Sequence, residues 1–110
     1  MRVYWKGGSH LLCGHWNGSP LEIGLTGRMT RVPGREARHH HPYREYYLVL
    51  EGRATLEVEG HEVPLEPETL VMVEAGERHR VVAIDPDQGV RWVVIKERSE
   101  PDSKIVDEPG

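Results

Sequence analysis

The stretch RHHHPYREYYLVLEG, residues 38–52, carries the reading of the fold. In a strand, residues two apart point the same way. His39 and His41 therefore share one face and His40 takes the other. Glu45 has the parity of His39 and His41, and joins them if the strand resumes after Pro42. Two imidazoles and a carboxylate converging on one point make half a site for iron, manganese, nickel, cobalt or zinc. A further nitrogen donor must then come from a neighbouring strand. His79, which opens a strand after the turn Glu74-Ala75-Gly76-Glu77-Arg78, is placed to supply it. Beyond Glu45, the run to Leu50 is apolar on both faces. A strand of that kind is expected to be covered on both sides, by the core and by another segment or subunit.

The same period of two continues along the chain, and no stretch sustains a helical period. Ala54, Leu56 and Val58 alternate with Thr55, Glu57 and Glu59. Glu59-Gly60 turns the chain tightly into His61–Leu65, so the two segments form a hairpin. Further strands are expected at Leu21–Arg31, Leu70–Val73, His79–Ile84 and Val90–Ile95. Turn chemistry separates them at Pro33-Gly34, Glu51-Gly52, Ala75-Gly76 and Asp85–Gly89. Short strands at this spacing indicate an all-β sandwich or barrel. The Gly-rich segment Gly7–Ser19 reads as loop or edge strand. The acidic, Pro-punctuated tail reads as ordered only around Lys104–Val106.

A length of 110 residues fits one domain, with a barrel core at about 21–96, an amino-terminal segment 1–20 and a tail 97–110. Hydrophobic residues are 37% of the chain and Phe is absent, so three Trp and four Tyr supply the bulky aromatic packing. That shortage suggests added stability from a metal or from a partner subunit. The net charge of −4 comes without a Lys/Arg stripe, which argues against a nucleic-acid partner. No apolar run has the length of a signal peptide or a membrane span. Cys13 is the sole cysteine, which excludes an internal disulfide and makes a reducing cytoplasm the simplest location. Asn and Gln occur once each, a bias that suits a heat-adapted source.

The residues around His39 resemble the first motif of the cupins, and the chain is similar to the small one-domain members of that family. Gly34, four residues, His39-x-His41, three residues, Glu45, six residues and Gly52 reproduce the motif with its first gap one residue short. The second motif survives as Gly76-x2-His79, with Glu68 in place of its glycine, Glu74 of its proline and Ala83 of its asparagine. The resemblance covers roughly residues 21–96. It implies a double-stranded β-helix, or jelly-roll barrel, that binds one divalent transition metal (Zn, Fe, Mn or Ni) through His39, His41, Glu45 and His79. It also contributes to the expectation of a homodimer, for which Tyr46, Leu48 and Leu50 are the outward candidates. Another strand, or the amino-terminal segment, is the alternative cover for those three.

Other residues carry weaker expectations. Tyr47 shares the parity of Glu45 and either lines a substrate pocket or packs in the core. His40 is read as a surface residue or a neighbour of the ligands, and His10 and His61 as surface histidines. Cys13-Gly14-His15 is an unfavoured second metal corner. Arg28 either reaches a substrate carboxylate or, the preferred reading, stays at the surface. Four protein ligands leave positions on an octahedral ion for water, oxygen or a chelating substrate. The preferred function is a metal-dependent dioxygenase, isomerase or lyase acting on a small polar molecule. The alternatives are a sugar- or acid-binding module without turnover, and a purely structural metal.

Overall fold

The computed structural model describes residues 1–5, 10–32, 37–101 and 104–107. Among the described residues, ten strands form two five-stranded antiparallel sheets. In chain order they are β1 (Leu11–Cys13), β2 (Glu22–Leu25), β3 (His39–His40), β4 (Glu45–Gly52), β5 (Ala54–Val58), β6 (His61–Leu65), β7 (Leu70–Val73), β8 (His79–Ile84), β9 (Val90–Lys96) and β10 (Ile105–Val106). One sheet runs β1-β2-β9-β4-β7 and the other β10-β3-β8-β5-β6. A short 3-10 turn, His15–Asn17, follows β1. The all-β barrel expected from the alternating pattern is therefore the fold observed.

Alternation sorts the side chains. Along β4, Glu45, Tyr47 and Val49 are buried between the sheets, whereas Tyr46 and Leu48 are half-buried and Leu50 is exposed. Tyr47 and Val49 meet Leu56 and Leu65 from the β5–β6 hairpin, Val73, Val81, Ile84, Val90 and Trp92 in one core. The Tyr47 and Trp92 rings pack edge to face at 5.7 Å, doing the work that Phe does in other cores.

The turns follow from their residues. Glu59 and Gly60 both take positive φ, 48° and 80°, as a two-residue hairpin requires. Gly52 ends β4 at φ 77°, and a Cβ there would run into the Gly89 carbonyl. Asp85 Oδ1 accepts the N–H groups of Asp87 and Gln88, holding the loop between β8 and β9. Glu68, at the position of the motif-two glycine, adopts φ 65°, a conformation that costs an L-residue about 1–2 kcal/mol.

One expectation changes. The strand expected over Leu21–Arg31 is regular only over Glu22–Leu25. Thr26 leaves the ladder by bonding Trp92 through both its backbone N–H and its hydroxyl, and the chain rejoins β9 only at the Met29–Val90 bridge. Gly27 and Arg28 bow out between these points, with Arg28 held to the carbonyls of Asp87 and Gln88. The turn expected at Pro33-Gly34 lies outside the described residues. The amino-terminal edge strand and the ordered patch of tail are both present, as β1 and β10.

Candidate metal centre

β3 is only two residues long, yet strands on both sides fix it. His39 pairs with His79 across to β8, and β10 pairs on the other side, Val106 with His39 and Ile105 with His40. This places His39 and His41 inward, and they are 5% and 3% exposed. Glu45, 2% exposed, enters at the start of β4, and His79, 1% exposed, at the start of β8. One nitrogen from each of His39, His41 and His79 lies within 4.8 Å of the others, close enough for the three to hold a metal ion. All four residues nominated from the sequence thus converge between the sheets.

The hydrogen bonds around the rings set their chemistry. His39 Nδ1 lies 2.9 Å from the Ala37 carbonyl and His79 Nδ1 lies 2.9 Å from the Glu77 carbonyl. A carbonyl only accepts, so each Nδ1 carries the proton and donates. In the neutral ring Nε2 then keeps the lone pair that can ligate a metal, and in the protonated ring it donates to a neighbouring acceptor instead. The Glu45 carboxylate stands among these groups, Oε2 at 3.0 Å from His41 Nε2 and Oε1 at 3.3 Å from His79 Nε2. Burial would push the Glu45 carboxyl up, but hydrogen bonds from His41, His79 and Tyr47 outweigh it and hold the group well below the usual carboxylate range. Tyr47, read from the sequence as either a pocket or a core residue, is buried in the core, bonds Glu45, packs edge-on to the His79 ring and lines the cavity.

His39 is held neutral, mainly by burial and next by the nearby His79, against an opposing hydrogen bond to Ala37, so its pKa falls from 6.5 to about 4. The sign of the consequence follows. A group neutral in the fold contributes fully above pH 6.5, and that contribution shrinks as the pH falls toward 4, where the unfolded chain binds the proton more readily. Chelator-treated protein is expected to lose its urea midpoint steadily through this interval. Metal affinity should fall in the same direction, because the ion needs the unprotonated ring. A midpoint flat from pH 6.5 to 4 would contradict the assignment of His39 as a buried neutral imidazole.

The site opens into a cavity of about 570 Å³. Its walls include Lys96 and Glu22, whose ammonium and carboxylate meet at 2.8 Å. Burial would lower the Lys96 pKa, but the Glu22 hydrogen bond and the neighbouring carboxylates raise it, so the lysine stays charged. The sequence reading missed both residues. The signal was available in the parity of β9, where Val90, Trp92, Val94 and Lys96 share one face. His10, expected at the surface, is exposed but lines the mouth of this cavity.

His40 points away from the cluster, as its parity requires. It pairs with Asp107 at 2.8 Å, and Arg78 reaches the same carboxylate at 3.5 Å. The Cys13/His15 corner does not form. Cys13 is buried with its thiol toward the Leu21 carbonyl, whereas His15 is exposed and bonds Ser99. Among the described residues, His39, His41 and His79 are the one group of three donors placed to hold an ion.

A double-sheet barrel with buried histidines from β3 and β8 and a carboxylate from β4 between the sheets defines a class of small β-barrel proteins with an internal polar site. The sequence profile of the cupin domain matches residues 27–96, and the chain belongs to the cupin family. It is 38% identical over 69 residues to the tetracenomycin polyketide synthase protein TcmJ of Streptomyces glaucescens, a match covering 57% of this chain and 46% of that protein. The chain thus spans about half the length of this curated relative. Among solved structures it resembles a cupin protein from Bacteroides fragilis, with TM-score 0.66 and 16% identity over 92% of this chain and 89% of that one. It also resembles the polyketide cyclase RemF of Streptomyces resistomycificus, with TM-score 0.67 and 20% identity over 91% and 70%. At these identities the structural likenesses speak for the fold alone.

Proposed function

We propose that His39, His41, Glu45 and His79 bind one divalent transition metal (zinc, iron, manganese or nickel), and that the protein is a metal-dependent dioxygenase, isomerase or lyase. One observation carries the reading. The carbonyls of Ala37 and Glu77 fix the protons of two rings on Nδ1, so that His79 Nε2 faces a buried carboxylate oxygen at 3.3 Å. A ring nitrogen and a carboxylate oxygen at that distance share either a proton or a metal ion, and a divalent ion can join all four residues at once. A bound ion would polarise a carbonyl or enediolate oxygen, or activate dioxygen if it is iron.

The protein's own part is positional. Ala37 and Glu77 orient the rings, Tyr47 steadies Glu45, and the cavity beside them admits a small molecule while the sheets exclude bulk water. The 38% identity to TcmJ, a protein named as part of a polyketide synthase, supports an enzyme over a binding module. One observation favours the alternative of a sugar- or acid-binding cupin. Lys96 and Glu22 neutralise each other, so neither stands free as a general acid or base.

Elemental analysis of tag-free protein tests the reading. About one transition-metal ion per chain is expected, with product formed when candidate substrates are supplied. Ligand-induced stabilisation without product would favour the binder. A protein that carries no ion and takes up none of the four metals would end the metal reading.

We further infer a cytoplasmic location, from the single cysteine. Among the described residues, no helix is long and apolar enough to cross a membrane. We also infer a homodimer formed through the outer face of the sheet containing β4. There Leu50, Leu70 and Met72 are 40%, 58% and 44% exposed, beside half-buried Tyr46 and Leu48. That is a contiguous apolar patch of the kind a partner covers. Light scattering should give twice the chain mass of 12.6 kDa, and Leu70→Glu/Met72→Glu should halve it. A monomer at all concentrations would exclude the dimer.

A further inference from the structure

A second cavity, of about 450 Å³, adjoins the one beside the histidines. The two share His10, Thr26, Val81 and Trp92 as common walls, so they form one cleft with two ends. The inner end is the more polar of the two, with His39, His41, Glu45 and the Glu22–Lys96 pair. The outer end is walled largely by Met29, Val81, Ile84 and Trp92. Each cavity alone falls within the range of ~300–1,000 Å³ typical of ligand sites. A two- or three-carbon acid at the histidines would leave the apolar end exposed to water, at a cost proportional to its area. The outer end exists because Thr26 draws the chain out of the ladder and Gly27 and Arg28 bow away from β9. A continuous strand over residues 26–31 would have closed it.

We propose that the ligand of this cleft is amphipathic, with a chelating pair of oxygens at the histidines and an apolar body of ring size lying over Trp92 toward Met29 and Ile84. This rests on the metal reading above and narrows its small polar molecule to one class, α-keto acids or β-diketones carrying an aryl or similar group. The paired Lys96 and Glu22 line the head end, where the ammonium can donate a hydrogen bond to a ligand oxygen.

Gly27 gives a clean test. It lines the outer end, its φ lies outside the left-handed region, and a Cβ built there meets nothing within 4 Å. Gly27→Trp should therefore fold and fill the apolar end while leaving the histidines untouched. Zinc-loaded protein of measured metal content is titrated calorimetrically with pyruvate and with phenylpyruvate. The wild type should bind phenylpyruvate about tenfold or more tightly than pyruvate, from burial of the ring. In Gly27→Trp the ratio should fall toward one, with pyruvate affinity and zinc content unchanged. Met29→Asp, which places a charge in the same end, should lower the ratio as well and serves if the tryptophan variant misfolds. Equal affinity for the two acids in zinc-containing wild type would overturn the proposal and leave the metal reading standing, as would a ratio unmoved by both variants. Protein that holds no zinc and binds neither acid would overturn both.

Discussion

The His39→Ala/His79→Ala variant is expected to lose its metal. Changing the outer partners of a metal ligand typically costs roughly 10–100-fold in affinity, so removing two of four ligands should cost more than about 10³-fold. Elemental analysis after equilibration with one equivalent of zinc should fall from about one ion per chain to below about a tenth. Circular dichroism of the same samples separates loss of the site from loss of the fold. His39→Gln/His79→Gln, which nearly keeps the buried volume, provides the comparison if the alanine variant is unstable. A variant that is folded and still holds one tightly bound ion would show that the ion sits elsewhere. The expectation is strong because the four side chains occupy one pocket, each 5% exposed or less.

Gly52→Ala should be among the most damaging single-methyl changes in the chain. The left-handed backbone at φ 77° costs alanine about 1–2 kcal/mol by itself. The added Cβ also points into the Gly89 carbonyl and backbone, which cannot swing aside as a flexible side chain would. To relieve the clash, the ends of β4 and β9 must separate, straining the bond from the Arg53 N–H to that carbonyl, now 2.9 Å long. A total of about 3–5 kcal/mol is expected, at the severe end for single substitutions. Thermal unfolding in excess zinc should show a Tm lower by roughly 10–25 °C. A shift of only a few degrees would mean that the turn yields easily. The last glycine of the first motif is thus explained by its neighbour across the sheet, with no appeal to chemistry at the metal.

Much of this architecture was legible because period two is a strong signal where one face is buried. The strands Ala54–Val58, His61–Leu65, Leu70–Val73 and His79–Ile84 fall where the alternation and turn residues place them. His39, His41 and Glu45 were readable as a set because parity alone puts them on one face, and His79 because it opens the strand beside them. What escaped was set by contacts between distant residues. The strand expected over Leu21–Arg31 is cut short because Thr26 satisfies its hydrogen bonds at Trp92, sixty-six residues away, and ends the ladder. No local feature distinguishes such a bulge from a continuous edge. The parity of β9 puts Lys96 on the face of Trp92, but only the pairing of β2 with β9 brings Glu22 beside it. Glu68 keeps the backbone shape of the glycine it stands for, so the degenerate second motif preserves its turn.

The arrangement of β3 between β8 and β10 has a consequence for how the protein is made. His40 and Asp107 are sixty-seven residues apart, and His39 faces a partner forty positions later. Domains dominated by such distant pairings fold in milliseconds to seconds, because long loops must close before any contact repays them. During synthesis, the two-residue strand that bears the first histidines has nothing to pair with until β8 emerges, and lacks its outer neighbour until residue 106 does. The β5–β6 hairpin, by contrast, pairs residues separated by only a tight turn and can form early. The strand bearing the first histidines thus gains both its neighbours only when the tail is made, and a ribosome stalled short of the tail would display the histidines on an unlatched strand.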